Sequence, residues 1–263
     1  MQKVDRRQWD ALADSMREPQ FHPHIARHKR EENLGLIAAW APPGSTRLLK
    51  TDLFEEAFGA DSLLDALAAR YPRAVGMDVS RLVVAAAGSV IPAVPRVAGD
   101  VCALPFRTAS FDLIVSISTL DHVPPALFGG ALAELCRILT DTGCLILTLD
   151  SRHNPLHVLS NRLRRRRGMI YAERCYTVAE VEAALAGLPV AVAAVTAIYH
   201  VPFPVNFIAK TLDRRLGRWG IAWLGGVLRL SRVLGRLPTH FLTGRYIALR
   251  IVKIGSEPPR GAT

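Results

Sequence analysis

Several acids and histidines of this chain stand just after apolar runs, where a strand pattern gives way to a loop. Asp52, Glu55 and Glu56 follow the run 47–51. Neighbouring carboxylates on a loop suit an ammonium group and repel a phosphate. They also favour a helix N-terminus through its dipole. Asp78, followed by Val79 and Ser80, ends a second run. A carboxylate there can accept hydrogen bonds from both hydroxyls of a ribose, or cap the next helix. Asp121 and His122 follow a later run and set a carboxylate beside a side chain able to act as a general base. His153, Asn154 and His157 follow the next and suit either a substrate site or a polar helix start. His22, His24 and His28 match metal spacing only loosely, and no carboxylate or cysteine cluster in the sequence supports a metal.

The elements that position these residues alternate. Strand patterns fall at 47–51, 74–78, 96–100, 111–119, 144–149, 190–199 and 245–254. Helical patterns fall at 4–16, 25–40, 54–70, 81–87, 125–139 and 178–186, the second stopped by Ala41-Pro42-Pro43-Gly44. Alternation of this kind predicts an α/β fold, a seven-stranded mainly parallel sheet with helices on both faces. Ligands of such sheets sit beyond the carboxyl ends of the strands, where the acids above are found. The expected organisation is an N-terminal helical extension (1–44), a core (45–204), a basic amphipathic helical insertion (205–240), and a last strand with a C-terminal tail (241–263).

The segment Gly99-Asp100-Val101-Cys102-Ala103-Leu104-Pro105-Phe106, followed by Ser110-Phe111-Asp112-Leu113-Ile114-Val115-Ser116, is more specific. It resembles the G-D-x-x-x-L-P-F and S-F-D-h-h-h-S segments of the S-adenosylmethionine-dependent methyltransferases that act on small molecules. Leu120-Asp121-His122-Val123 continues the pattern, and Glu134 to Gly143 is similar to the family's E-x-x-R-V-L-K-P-G-G turn into the fifth strand. The resemblance runs over 47–149. It implies a Rossmann-like fold and S-adenosylmethionine as cofactor. Asp78 and Val79 would then hold the ribose, Asp100 the adenine amino group, and the Val101 backbone the ring. Asp121 and His122 would lie near the transferred methyl group, and His153, Asn154 and His157 would line the acceptor site.

One motif departs from the family. A glycine-rich loop, D-x-G-x-G-x-G, is expected after the first strand, but Phe54, Glu56 and Phe58 stand where glycines belong. Glycine matters there because the backbone must come close to the cofactor. Three readings follow. The loop is rebuilt, with Asp52, Glu55 or Glu56 holding the methionine ammonium group. Or the cofactor serves other chemistry, such as cyclisation or elimination. Or the protein is a non-catalytic binder. Similar T-D-L-F-E-E-A loops, preceded by a His-Lys-Arg helix like His28-Lys29-Arg30, mark a variant subgroup of bacterial proteins in this superfamily.

With 263 residues, 50% hydrophobic and 21% charged, the chain can bury a sizeable core, and wholesale disorder is unexpected. The N-terminus lacks the apolar core of a signal peptide. Cys102, Cys136, Cys144 and Cys175 show no paired metal spacing and read as inert thiols in a reducing compartment. The net charge of +10 is uneven. Residues 160–250 hold fourteen Arg and one Lys against four acids, a local +11. This excess points to an anionic partner. The basic run 162–167 lacks interleaved aromatics, which argues against nucleic acid. The segment 210–236 mixes Arg with Trp219 and Trp223, but its apolar stretch is too short to span a bilayer. It suits either an anionic membrane surface or a helical cap packed on the core. The expected protein is therefore cytoplasmic, at the inner face of the membrane, with a small or lipid-linked acceptor.

Overall fold

The computed structural model describes residues 6–15, 21–166, 174–201 and 204–254. Seven strands form one sheet: β1 (Arg47–Lys50), β2 (Arg73–Asp78), β3 (Arg96–Ala98), β4 (Phe111–Ile117), β5 (Leu139–Asp150), β6 (Val190–Ile198) and β7 (Tyr246–Lys253). Their order is β3-β2-β1-β4-β5-β7-β6. The first five are parallel, and β7 runs antiparallel between β5 and β6. This is the expected Rossmann-like sheet. The strand order reverses between β1 and β4, which opens a crevice at their carboxyl ends.

Period-two alternation fixes the register. Leu49, Ile114, Leu145 and Leu147 face one side, with Leu132 and Leu135 of the helix α6 (Pro125–Ile138) in the same core. Leu48, Leu113, Val115 and Ile146 face the other side. There they meet Leu64 and Leu67 of α4 (Leu64–Arg70) and Val83 and Ala87 of α5 (Arg81–Val90). A third core joins α2 (Pro23–Trp40) to α9 (Pro204–Leu216) and α10 (Arg218–Leu234) through Ile25, Val205, Ala209 and Leu224.

Three elements differ from expectation. The helix expected over 54–70 is two, α3 (Phe54–Phe58) and α4, because Glu56 Oε1 accepts the Leu63 and Leu64 backbone N–H groups and starts a second helix. β5 begins five residues early, at Leu139, pairing with Phe111 before a register shift. A helix with no counterpart in the expected pattern, α7 (Pro155–Arg166), follows β5. The remaining helices are α1 (Arg6–Ser15), α8 (Val178–Leu185) and α11 (His240–Thr243). Arg167, the end of the basic run, and the tail beyond 254 lie outside the described residues. No described helix is long and apolar enough to cross a membrane.

Candidate functional site

The carboxyl ends of β1 to β4 close around one cavity. Its wall holds Lys50, Thr51 and Asp52 at the end of β1, Asp78 and Val79 at the end of β2, and Gly99, Asp100 and Val101 after β3. Ser118, Thr119 and His122 follow β4, while Trp9 and Leu12 of α1 form one side and Arg245 and Tyr246 another. Two features show close approach and strain. A Cβ on Gly99 would lie 3.0 Å from Met77 Sδ and 3.1 Å from Pro105 Cδ. Ser118 holds a left-handed φ of 47°, its N–H donating to Thr148. Strain of this kind in a non-glycine residue clusters at functional sites.

Asp78 is buried and held by two backbone donors, Leu53 N–H to Oδ2 at 3.0 Å and Ser80 N–H to Oδ1 at 2.8 Å. Each oxygen keeps further lone-pair capacity for a ligand. Burial, reinforced by the charge of Asp52, pushes this carboxyl up to about 7 despite its donors. Asp100 Oδ1 accepts the Cys102 N–H at 2.9 Å, a turn that presents the residue to the cavity.

The loop after β1 carries a network of acids and lysines. Asp52 Oδ1 accepts the Phe54 N–H at 2.7 Å and opens α3. Lys50, buried at the end of β1, donates to Glu56 Oε2 at 2.9 Å and to the Asp52 carbonyl. Lys29 of α2 lies 2.7 Å from Asp61 Oδ2 and 3.3 Å from Glu55 Oε1. Arg30 beside it pairs with Asp65 at 3.0 Å. The His-Lys-Arg helix and the acidic loop are thus one unit. Three carboxyl groups (Asp52, Glu55, Asp61) and two lysines line this end of the cavity, with Glu56 behind Lys50. Burial, eased by Lys29 and reinforced by Asp61, pushes Glu55 up to about 8. Burial alone would lower Lys29, but Asp61 and Glu55 hold its pKa well above the ordinary lysine value.

Of the three loop acids singled out from the sequence, Asp52 and Glu55 line the cavity and Glu56 does not. The side chain of Glu56 is consumed by Lys50 and by the start of α4, so it is a structural group. His122 lines the cavity and meets Trp9 edge-on at 4.8 Å. Burial lowers its pKa below the ordinary 6.5, so the imidazole is in its neutral base form at pH 7. Asp121 lies behind the wall, its Oδ2 accepting the Asp150 N–H at 3.3 Å. Neither His153, Asn154 nor His157 lines the cavity. Asn154 starts α7, accepting the His157 N–H at 3.0 Å and donating to the Thr243 carbonyl. His153 packs on Phe241. His157 is buried 3.1 Å from Asp150 Oδ2.

Among the described residues one group could share an ion, Asp150, His157 and Cys175, with ligand atoms within 4.8 Å of one another. His157 and Asn161 already face the Asp150 carboxylate, and Arg245 Nε stands 3.5 Å from it. The carboxylate is thus supplied with donors and positive charge without a metal. The residues that the sequence reading missed include Lys29, Lys50 and Asp61, and on the wall Trp9, Arg245 and Tyr246. A lysine at the end of an apolar strand was the available signal, since unpaired lysines are almost never buried.

Residues 55–147 match the family described as Methyltransferase domain. No curated protein sequence matches the chain. Solved structures resemble it at low identity. A SAM-dependent methyltransferase from Thermotoga maritima is 15% identical with a TM-score of 0.55, over 87% of this chain and 91% of that one. Geranyl diphosphate C-methyltransferase from Streptomyces coelicolor A3(2), in complex with Mg2+, geranyl diphosphate and S-adenosyl-L-homocysteine, is 10% identical with a TM-score of 0.58, over 86% and 79%. The 4+2 cyclase SpnF is 15% identical with a TM-score of 0.55, over 86% and 81%. At these identities the likeness is one of fold.

Proposed function

We infer that this chain, whose core belongs to the S-adenosylmethionine-dependent methyltransferase superfamily, binds S-adenosylmethionine in the cavity and transfers its methyl group to a small or lipid-linked acceptor. One observation carries the reading: the strand-end acids line the cavity in the order a nucleoside needs, and the end beside β1 is acidic. Asp78 accepts from the ribose hydroxyls, with Val79 beside it. Asp100 and the Val101 backbone hold the adenine. Asp52 and Glu55 face the methionine ammonium, which replaces a glycine loop's close backbone approach with charge. The excess of carboxyl groups fits a cationic ligand and disfavours a phosphate-bearing one.

Bound there, the cofactor supplies an electrophilic methyl group on a sulfonium. The chain's own residues contribute position and a proton sink. Trp9 and Leu12 shield one side of the cavity from water. Neutral His122 takes the proton that an acceptor hydroxyl or amine loses as it gains the methyl group. Asp121 acts only as a positioning group, through the Asp150 backbone.

The loop without glycine, and a fold shared with a cyclase, support a second reading, in which the cofactor is held for cyclisation or elimination. Detection of S-adenosylhomocysteine on turnover separates the two. Binding itself is tested by titrating Asp78→Ala against wild type. Loss of the charge-assisted contacts is worth about 1–3 kcal/mol, so affinity should fall by about 5- to 150-fold while circular dichroism is unchanged. Equal affinity in the variant removes Asp78 from the site.

A further inference from the structure

Two chain excursions leave the sheet and return to it at the end where the cavity lies. The first leaves β5 at Asp150 and returns at Tyr176, whose N–H donates to the Asp150 carbonyl at 2.8 Å. The second leaves β6 and returns at Arg245, whose N–H donates to the Tyr199 carbonyl at 3.0 Å. Arg245 and Tyr246 then form part of the cavity wall. Both excursions are basic. The described residues 151–166 and 174–176 hold six Arg and no acid, and 204–245 hold eight Arg and Lys against one acid.

Both also turn apolar side chains outward. Fifteen large hydrophobic side chains are exposed among the described residues, and twelve of them stand on these two excursions. The helix α7 is inside out. His157, Asn161 and Arg164 are buried, at spacings of four and three, while Leu156, Leu159 and Leu163 are exposed on another face. In water this places apolar surface where no described residue covers it and polar groups where hydrogen bonds must be found for them. The helix α10 has two stripes. Gly220, Leu224 and Ser231 face inward, while Trp219 is 68% exposed and Trp223, Leu230 and Val233 continue its stripe. The inward stripe packs α10 on α2 and α9, and Trp219 lies outside that contact.

From these observations we propose that α7, α9 and α10, the described helices of the two excursions, form one collar that seats the chain on an anionic lipid bilayer, with the cavity end toward the lipid. The occupant follows from complementarity. Arginines answer anionic headgroups, and exposed Trp and Leu stripes enter the headgroup–acyl boundary. A protein groove would need no such charge, and nucleic acid would not need three outward leucines. The collar rests on the reading of the cavity as a methyltransferase site in one respect only. It makes the acceptor an amphiphile drawn from the bilayer.

The test is flotation of the full chain with phosphatidylcholine vesicles, with and without phosphatidylglycerol, at about 0.1 M and about 1 M salt, where the screening length falls from about 10 to about 3 Å. Capture is expected only with phosphatidylglycerol, and reduced at high salt. Trp219→Ser and Leu159→Ser should each lower capture by about 10-fold, while S-adenosylmethionine titration of the same samples is unchanged. Leu159→Ser is the discriminating variant, because it lies outside the Trp-bearing helices. Equal recovery in the soluble fraction under every condition overturns the proposal. So does wild-type capture of Leu159→Ser, salt-sensitive binding to single-stranded RNA without vesicle capture, or a lipid-free dimer that shields Trp219 from quencher. Vesicle capture without cofactor binding would sink the methyltransferase reading and leave the collar standing. Cofactor binding without capture would do the reverse.

Discussion

Neighbouring glutamates do opposite work here. Glu55 faces the cavity and is pushed up to about 8, so it is largely protonated when the site is empty. Glu56 Oε2 lies 2.9 Å from Lys50 and its Oε1 anchors α4. Glu55→Gln should therefore weaken S-adenosylmethionine binding by about 10-fold, the loss of one charge-assisted contact, with little change in stability. Glu56→Ala should do the converse. Removing one member of a buried pair costs about 3–5 kcal/mol, read as a lower urea midpoint. If the two variants exchange these effects, the roles assigned to the loop are wrong. That Asp78, Asp100 and His122 line one cavity was legible in the sequence because each stands at or just after a strand end, and strand ends converge in a parallel sheet. The role of Glu56 was not, since its partners are a strand lysine and a helix start that only the folded chain brings together. Lys29 was invisible as a site residue for the same reason, standing thirty-two residues before Asp61.

At the scale of elements, every strand was legible, because alternation such as Leu48/Leu49 and Leu113/Ile114 assigns two faces from the sequence. α7 was not. Its leucines point outward and its polar residues inward, so its periodicity does not report a core-facing helix, and the sequence reading took its first turn as acceptor-site residues. α3 and α4 were merged because helical pattern continues across the break at Gly59, whose backbone is extended. A Cβ there would lie 2.7 Å from the Glu55 carbonyl oxygen. Gly59→Ala should accordingly destabilise the loop by about 1–3 kcal/mol, as overpacking does, with a matching loss of cofactor affinity. Wild-type stability and affinity in that variant would show that the break is not rigid.

The whole molecule should report its buried acids through pH. Burial pushes Glu32 and Asp78 up to about 7 and Glu55 up to about 8. A folded state that holds protons more tightly than the unfolded chain loses stability as pH rises through those values. Burial lowers His28, His122 and His200 below the ordinary 6.5, which acts in the opposite direction but only below that value. The ligand-free Tm should thus fall between pH about 6.5 and 8. A Tm that climbs across this window would contradict the burial of these carboxyls. A cationic ligand favours the ionised form of Asp78 and Glu55, which line the cavity, so saturating cofactor should lessen the fall.

The same linkage gives the most direct test of the central claim, that an acidic loop without glycine holds S-adenosylmethionine in this cavity. Calorimetric titration at pH about 7, in two buffers of different ionisation enthalpy, reads affinity and proton exchange together. Saturable binding is expected, with net release of protons from Asp78 and Glu55 as the cationic ligand enters. No heat and no binding at millimolar cofactor would contradict the account, and binding without proton release would remove these two carboxyls from the contact.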